Sequence, residues 1–299
     1  MRIGIIGAGK WGQALFRAFE EKNEVLITSR KKRAIKNFTT LERVLECEYL
    51  VFAISAQGLY EWLERHQLSN QKVLIASKGI DSDRLLLPSR IFTSFIPKEY
   101  VAYLSGPSFA SEVMRSLPTA LVVSSTNERL AKSYANAFAD FIKTYVDDDI
   151  IGAEVAGAYK NIIAIAAGIS DGLALGHNAK AALLARGLVE MERFATIFGK
   201  VKTETFLGLS GAGDLFLTAN STLSRNYRVG FALAQGKSLA EILEELKEVA
   251  EGVMSAEAVM KLAQKHSVYT PIAAEVFAIL HGKSPKKSLL DLLARKEHG

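Results

Sequence analysis

Apolar residues arrive along this chain in two different rhythms. Through the first 150 positions, short runs rich in β-branched residues alternate with stretches of helical periodicity. The runs are Ile3–Ile6, Val25–Thr28, Tyr49–Ile54, Val73–Ala76, Val101–Leu104 and Ala120–Ser124, and the alternation is that of βαβ units. Several runs are apolar on consecutive residues, as in Leu50-Val51-Phe52-Ala53-Ile54. Such strands are expected under helices on both faces, which makes the sheet doubly wound and largely parallel. After about Asp149 the β-branched runs give way to Ala-, Leu- and Glu-rich segments such as Lys160–Gly168, Ala179–Phe198 and Leu239–Leu246, which read as helices. The acidic triplet Asp147-Asp148-Asp149 marks the change and reads as a solvated turn or a helix N-terminus. The expected organisation is an α/β N-terminal domain over residues 1–150 and an all-α C-terminal domain over residues 151–299, with no internal repeat.

Length and composition agree with this division. A chain of 299 residues is about twice the usual domain length, and 49% apolar with 23% charged residues is ordinary globular composition. The single cysteine, Cys47, cannot form an internal disulfide or supply a Cys-rich zinc site. With no recognisable signal peptide and no apolar run approaching a membrane span, a cytoplasmic protein is expected. The 37 basic residues exceed the 32 acidic ones through one local cluster, Arg30, Lys31, Lys32, Arg33 and Lys36. Without those five the signs balance, which argues against a broad nucleic-acid surface.

That cluster acquires meaning from what precedes it. The strand Ile3–Ile6 runs into Gly7-Ala8-Gly9-Lys10-Trp11-Gly12 and then into a helical pattern, the context a dinucleotide-binding GxGxxG requires. Gly7 permits the tight turn, Gly9 admits a pyrophosphate to the backbone, and Gly12 lets helix and strand pack closely. The positive end of the helix then faces the phosphates. An NAD-binding sheet places an acid about 20 residues later to take the ribose 2′-hydroxyl. Here that stretch reads Thr28-Ser29-Arg30-Lys31-Lys32, which suits a 2′-phosphate and predicts NADPH over NADH, with NADH still usable. A solvated basic helix start is the plainer reading of the same residues.

Other segments offer chemistry on weaker grounds. At 100° per residue Lys160 and Asp171 lie about 20° apart on a helical wheel, and Asn178 returns to the azimuth of Lys160, so one polar stripe results if the helix persists past Gly172. A snorkelling lysine is the commoner explanation of a lone Lys, and spacing leaves both readings open. Ser105-Gly106-Pro107-Ser108-Phe109-Ala110 follows a predicted strand, and Gly211-Ala212-Gly213-Asp214 leads to Thr218 and Ser224-Arg225-Asn226. The last tripeptide offers a hydroxyl, a guanidinium and an amide to a phosphate, although such a tripeptide is usually a helix cap. The histidines show no metal spacing: His66, His266, His281 and His298 read as surface residues, and His177, in the polar stripe, stays undecided.

Taken together the motifs resemble the bacterial-type NAD(P)-dependent glycerol-3-phosphate dehydrogenases, nearly end to end. The resemblance rests on GAGKWG at 7–12, SKG at 77–79, LSGPSFASE at 104–112, the EVAGAYKNIIAIAAGISDGLALGHNAKAALLARGLVEM stretch at 154–191, GLSGAGDLFLT at 208–218, SRN at 224–226 and EG at 251–252. It implies a Rossmann-type N-terminal domain, an all-helical C-terminal domain, and reversible reduction of dihydroxyacetone phosphate to sn-glycerol 3-phosphate, which supplies the phospholipid backbone. A homodimer is plausible for such a fold. By the same resemblance Lys160 is the proton donor or acceptor. Lys78, Gly106, Ser108, Asp214, Ser224, Arg225 and Asn226 line the substrate. Gly7, Gly9, Lys10, Trp11, Gly12, Arg30, Lys31, Lys78, Ala110, Arg225 and Glu251 match positions at the cofactor.

The chemistry implied is hydride delivery to the ketone carbon with Lys160 supplying the proton and Lys78 stabilising the oxygen. Two ammonium groups at one site depress each other's pKa while Asp214 opposes that shift, and the sequence leaves the balance open. Three departures from the family pattern stand out: Ala219 where a cysteine is common, Ala185 where a threonine is common, and a short connection over Arg30–Cys47. A β-hydroxyacid or ketopantoate-type reductase would also use a helical-domain lysine but gives no reason for Lys78 to converge with Ser224-Arg225-Asn226. A non-catalytic NADPH sensor leaves Lys160, Asp214 and Arg225 unexplained.

Overall fold

The computed structural model describes residues 1–246 and 250–294. Seven strands form one sheet: β1 (Arg2–Ile6), β2 (Glu24–Thr28), β3 (Tyr49–Phe52), β4 (Lys72–Ile75), β5 (Val101–Ser105), β6 (Thr119–Ser124) and β7 (Ile142–Asp147). Their order is β2-β1-β3-β4-β5-β6-β7. From β2 through β5 every pairing is parallel, with Ile5 opposite both Ile27 and Val51 in register. The fully apolar centres of β1, β3, β4 and β5 are buried, as consecutive apolar residues require.

The far edge departs from the expectation read from the sequence. β6 runs antiparallel to β5, and β7, which the apolar pattern did not reveal, pairs parallel with β6 from Thr119↔Ile142 to Ser124↔Asp147. β7 is an edge strand with Tyr145 and Val146 largely exposed, so only part of it needs apolar side chains. After β2 the chain turns back along that strand's outer edge. Ile27 bonds Asn37 O through its N–H at 3.2 Å and accepts from Thr39 N at 3.0 Å, so the short connection projects Arg30–Lys36 beyond the sheet.

From Ile150 onward every regular element among the described residues is helical. The central helix, Ile150–Gly172, begins at Asp149, whose carboxylate accepts from Gly152 N at 2.8 Å, Lys202 N at 2.9 Å and Thr205 Oγ1 at 2.7 Å. The acidic triplet is thus a strand end followed by a helix cap. By length and composition this helix could cross a membrane, more than the sequence reading allowed, yet nearly all of it is buried inside the protein. It enters two cores. Ala153 packs with Ile6, Phe52, Ile75 and Tyr103 under the sheet, and Val155 through Ile169 form the middle of the helical core. The Arg225–Ala234 helix crosses it closely: a Cβ on Gly230 would lie 1.9 Å from Ile165 O, and one on Gly168 2.1 Å from Tyr227 O. That contact fixes where Arg225 stands relative to Lys160.

Candidate active site

The dinucleotide loop has the geometry its glycines promise. Gly7 sits at φ 113°, in the left-handed region, and donates to Thr28 O at 2.9 Å. A Cβ on Gly12 would come within 1.7 Å of Gly7 O, so no side chain fits there. Gly9 opens the helix Lys10–Phe19 without a side-chain cap, and nothing lies within 4 Å of where its Cβ would be. The first amides of that helix have no side-chain cap, and the open space at Gly9 leaves room beside them for a pyrophosphate. Lys10 is exposed beside the loop, and Trp11 is pinned by Nε1–H donation to Ala76 O at the end of β4 (3.1 Å). Arg30 and Lys31 are exposed just past the end of β2, where Ser29 Oγ bonds Lys31 O at 2.7 Å. With cations and no acid at that strand end, the donor set fits a nicotinamide dinucleotide.

Next to this loop two lysines from distant segments share one carboxylate. Lys78 comes from the loop after β4, Lys160 from the central helix, and Asp214 from the residue following a widened π-turn at Leu209–Gly213. Asp214 accepts from Lys160 Nζ through Oδ1 and from Lys78 Nζ through Oδ2, each at 2.7 Å. Thr218, one helical turn after Asp214, accepts from Lys160 Nζ at 2.8 Å and donates to Asp214 O at 2.7 Å. Lys160 is 7% exposed and Asp214 2%. Burial drives the Lys160 ammonium down from its ordinary 10.5 to about 8, with Asp214 opposing and Lys78 assisting. For Asp214 burial acts upward, but Lys160 and Lys78 outweigh it and hold the carboxyl below its ordinary value. Glu251 faces the same cluster. Burial pushes its carboxyl up against the pull of Arg225, Lys78 and Lys160.

Three further segments close the site. Gly106 turns at φ 110°, Ser108 Oγ donates to Gly106 O at 3.2 Å, and Ala110 starts a short helix, Ala110–Val113. This loop is fastened beside the Asp214 turn by Ser105 Oγ and Ser210 Oγ, 2.7 Å apart. Ser224 caps the Arg225–Ala234 helix, accepting from Tyr227 N at 3.3 Å, as the plain reading of the tripeptide held. Asn226 spends its amide within the protein, donating to Asn161 Oδ1 at 2.9 Å and accepting from Gly252 N at 3.0 Å. It thereby ties the residue after Lys160 to the residue after Glu251.

The polar stripe does not form. The central helix stops at Gly172, with Ala174 left-handed at φ 55°, and Asn178 and His177 lie exposed on the next helix. Asp171, about 16 Å along the axis from Lys160, accepts instead from Lys180 Nζ at 2.6 Å and Tyr227 OH at 2.7 Å. Thr218 and Asn161 were not assigned roles from sequence. The spacing of Thr218 four residues after Asp214 was the available signal for the first. His66, His266 and His281 are at or near the surface, and His298 lies outside the described residues. Among the described residues no cluster of metal-ligating side chains occurs. A groove of about 560 Å³ between the central, Gly176–Ala195, Pro271–Leu280 and Pro285–Ala294 helices contains none of the site residues.

Comparison with known proteins bears on this assembly directly. Residues 33–131 match the family model "NAD-dependent glycerol-3-phosphate dehydrogenase N-terminus", and residues 149–291 match the corresponding C-terminus. The chain is 62% identical over 296 residues to glycerol-3-phosphate dehydrogenase [NAD(P)+] of Nitratiruptor sp., covering 99% of each chain. The chain belongs to this family. Its relative in Campylobacter jejuni, a glycerol-3-phosphate dehydrogenase [NAD(P)+], is 56% identical over 298 residues, 99% of this chain and 100% of that one. The crystal structure of glycerol-3-phosphate dehydrogenase from Coxiella burnetii superposes with a TM-score of 0.91 at 33% identity, covering 98% of this chain and 99% of that one. The yeast enzyme, at 22% identity and a TM-score of 0.82, shares the fold. In this member of the glycerol-3-phosphate dehydrogenase family the Lys160–Asp214–Lys78 cluster and the dinucleotide loop stand on one chain.

Proposed function

We propose that the chain reversibly reduces dihydroxyacetone phosphate to sn-glycerol 3-phosphate, the glycerophospholipid backbone, with NADPH preferred over NADH. The observation that carries the reading is the buried Lys160–Asp214–Lys78 triad beside an open dinucleotide cradle. In the reaction the bound nicotinamide supplies hydride to the ketone carbon. Lys160 gives its ammonium proton to the oxygen, and in reverse its neutral amine takes that proton back. A pKa of about 8 leaves both forms accessible near neutrality. Lys78 stabilises the negative charge growing on the oxygen, and Asp214, held ionised, fixes both ammonium groups without competing for the proton. Arg225, at the start of its helix, and the amides there hold the phosphate, whose binding energy orients the carbonyl. Ser108 and Gly106 close the side toward Asp214, and Arg30 with Lys31 takes the 2′-phosphate. Ser224 and Asn226 line the substrate beside Arg225, Asn226 being held in place by Asn161 and Gly252.

We assign the cofactor to residues 1–150 and the substrate and proton chemistry to residues 151–299, and place the enzyme in the cytoplasm as a homodimer. Light scattering on the eluted protein, read against 32.6 kDa per chain, tests the dimer. Loss of NADPH absorbance on adding dihydroxyacetone phosphate tests the reaction, with NADH, phosphate-free dihydroxyacetone and Lys160→Ala run alongside. Oxidation that needs both the phosphate and Lys160 is expected. Tight NADPH binding without turnover, or near-normal turnover by K160A, overturns the reading.

A further inference from the structure

Six residues before Lys160, on the same helix, Glu154 has no exposed surface at all. It accepts from Ser89 N at 2.6 Å, and its second oxygen lies 2.5 Å from Ser89 Oγ. Ser89 belongs to the first turn of the Pro88–Thr93 helix, and the loop that leads into that helix from β4 is the one that carries Lys78. Two of its side chains, Ile80 and Leu87, are fully buried in the helical core with Val155, Ala158 and Tyr159. At its start, Lys78 runs along the central helix at Gly157, where an added Cβ would meet the lysine Cγ and Cδ at 3.7 and 3.8 Å. The central helix therefore meets both ends of the loop within one turn, about 4.5 Å of axial rise, at Glu154 and Gly157, with Lys160 one turn further on.

We infer that Glu154 is a positioning residue for the reaction: by holding Ser89 through both its N–H and its hydroxyl, it fixes the Ser77–Leu87 loop on the central helix and so keeps Lys78 in register with Asp214 and Lys160. The inference rests on the lysine-based reading of the site. A buried carboxyl is costly where a hydrophobic residue would serve, and this one contacts neither substrate loop nor cofactor cradle. Burial, resisted by Ser89 and Arg90, raises its carboxyl to about 8. Near neutral pH it thus carries a proton, offering one acceptor and one O–H donor to Ser89. Glutamine offers the same pair, an acceptor oxygen and an N–H donor, in nearly the same shape, whereas leucine offers neither.

The test is a kinetic cycle on the full chain, with NADPH affinity by fluorescence titration and thermal melting as controls. Glu154→Leu is expected to bind NADPH normally and to lower kcat by about 10- to 100-fold through misplacement of Lys78, and Glu154→Gln to restore it. Lys78→Ala is expected to cost far less in the Glu154→Leu background than in the wild type, because the two changes damage the same contact. Ser89→Ala in the same cycle answers the question if Glu154→Leu does not fold. Equal cost of K78A in both backgrounds, or E154Q as impaired as E154L, overturns the positioning role alone. Normal turnover by K160A or by K78A overturns the site reading and this inference with it.

Discussion

Replacing Asp214 with asparagine removes one charge from between two ammonium groups while keeping the shape and one acceptor oxygen. In the native site each lysine nitrogen stands 2.7 Å from a different oxygen of this carboxylate. At that separation and an effective dielectric near 20, the attraction to one ammonium is about 6 kcal/mol. The amide dipole and the remaining hydrogen bonds return part of it. At 1.36 kcal/mol per pKa unit, the Lys160 midpoint should fall by about two units or more, from about 8 in the wild type. At pH 7 the wild-type lysine is mostly ammonium and the variant's is mostly amine. Steady-state kcat measured against pH in both directions reads this out. In the wild type, ketone reduction should decline as pH rises through about 8 while alcohol oxidation climbs through the same midpoint. In Asp214→Asn both midpoints should move acid-ward together, so that reduction at pH 7 suffers more than oxidation. A midpoint that stays in place, or profiles that respond to pH in the same sense for both directions, would refute the assignment of Lys160 as the titrating group.

Four other substitutions, in three tests, probe separate parts of the structure. Arg30→Asp should raise the KM for NADPH far more than that for NADH, measured with saturating dihydroxyacetone phosphate; equal effects would remove the 2′-phosphate from this strand end. Gly9→Ala, with open space around its Cβ position, should melt like the wild type yet lose NADPH affinity, whereas Gly12→Ala, driven to 1.7 Å from Gly7 O, should lower the melting temperature sharply; reversal of that order would contradict the loop geometry. Glu154 has its carboxyl raised from 4.5 to about 8, so the folded chain keeps a proton that the unfolded chain releases over that window, and stability from this group is lost as pH rises through it. The melting temperature of Glu154→Gln should accordingly gain on the wild type between pH 5 and pH 8.5, and a constant difference would speak against the buried acid form.

How far the sequence disclosed all this depended on whether each feature was local. Runs such as Leu50–Phe52 declared buried parallel strands because every residue in them is apolar, and Gly7, Gly9 and Gly12 declared a phosphate loop because the constraint lies within six residues. β7 stayed hidden because an edge strand needs few apolar residues, and the reversed direction of β6 depends on a partner that no local pattern names. The polar stripe assumed a helix persisting past Gly172, which would have carried Asn178 to the azimuth of Lys160; the helix stops there, and Asp171, though on the same face, stands about three turns along the axis from Lys160. Asp214, which the resemblance of its motif already placed at the site, meets Lys160 across 54 residues of sequence, just after the π-turn. Asn226 reads from sequence as a substrate amide; only the fold shows that it also bonds Asn161 and Gly252. Glu154 left no trace in the pattern, since its partner Ser89 sits in a different element of the sheet half.

The central helix belongs to both cores at once, with Ala153 under the sheet and Val155 onward among the helices. A rotation of one half against the other about residue 150 would have to pull this rod out of one of its two sockets. Rigid closure of the halves on a ligand is therefore opposed by this shared helix. The same rod couples the two halves in denaturation: loss of the helical socket exposes it along most of its length and loss of the sheet socket uncovers its start at Ala153, so the chain should melt in one transition rather than two.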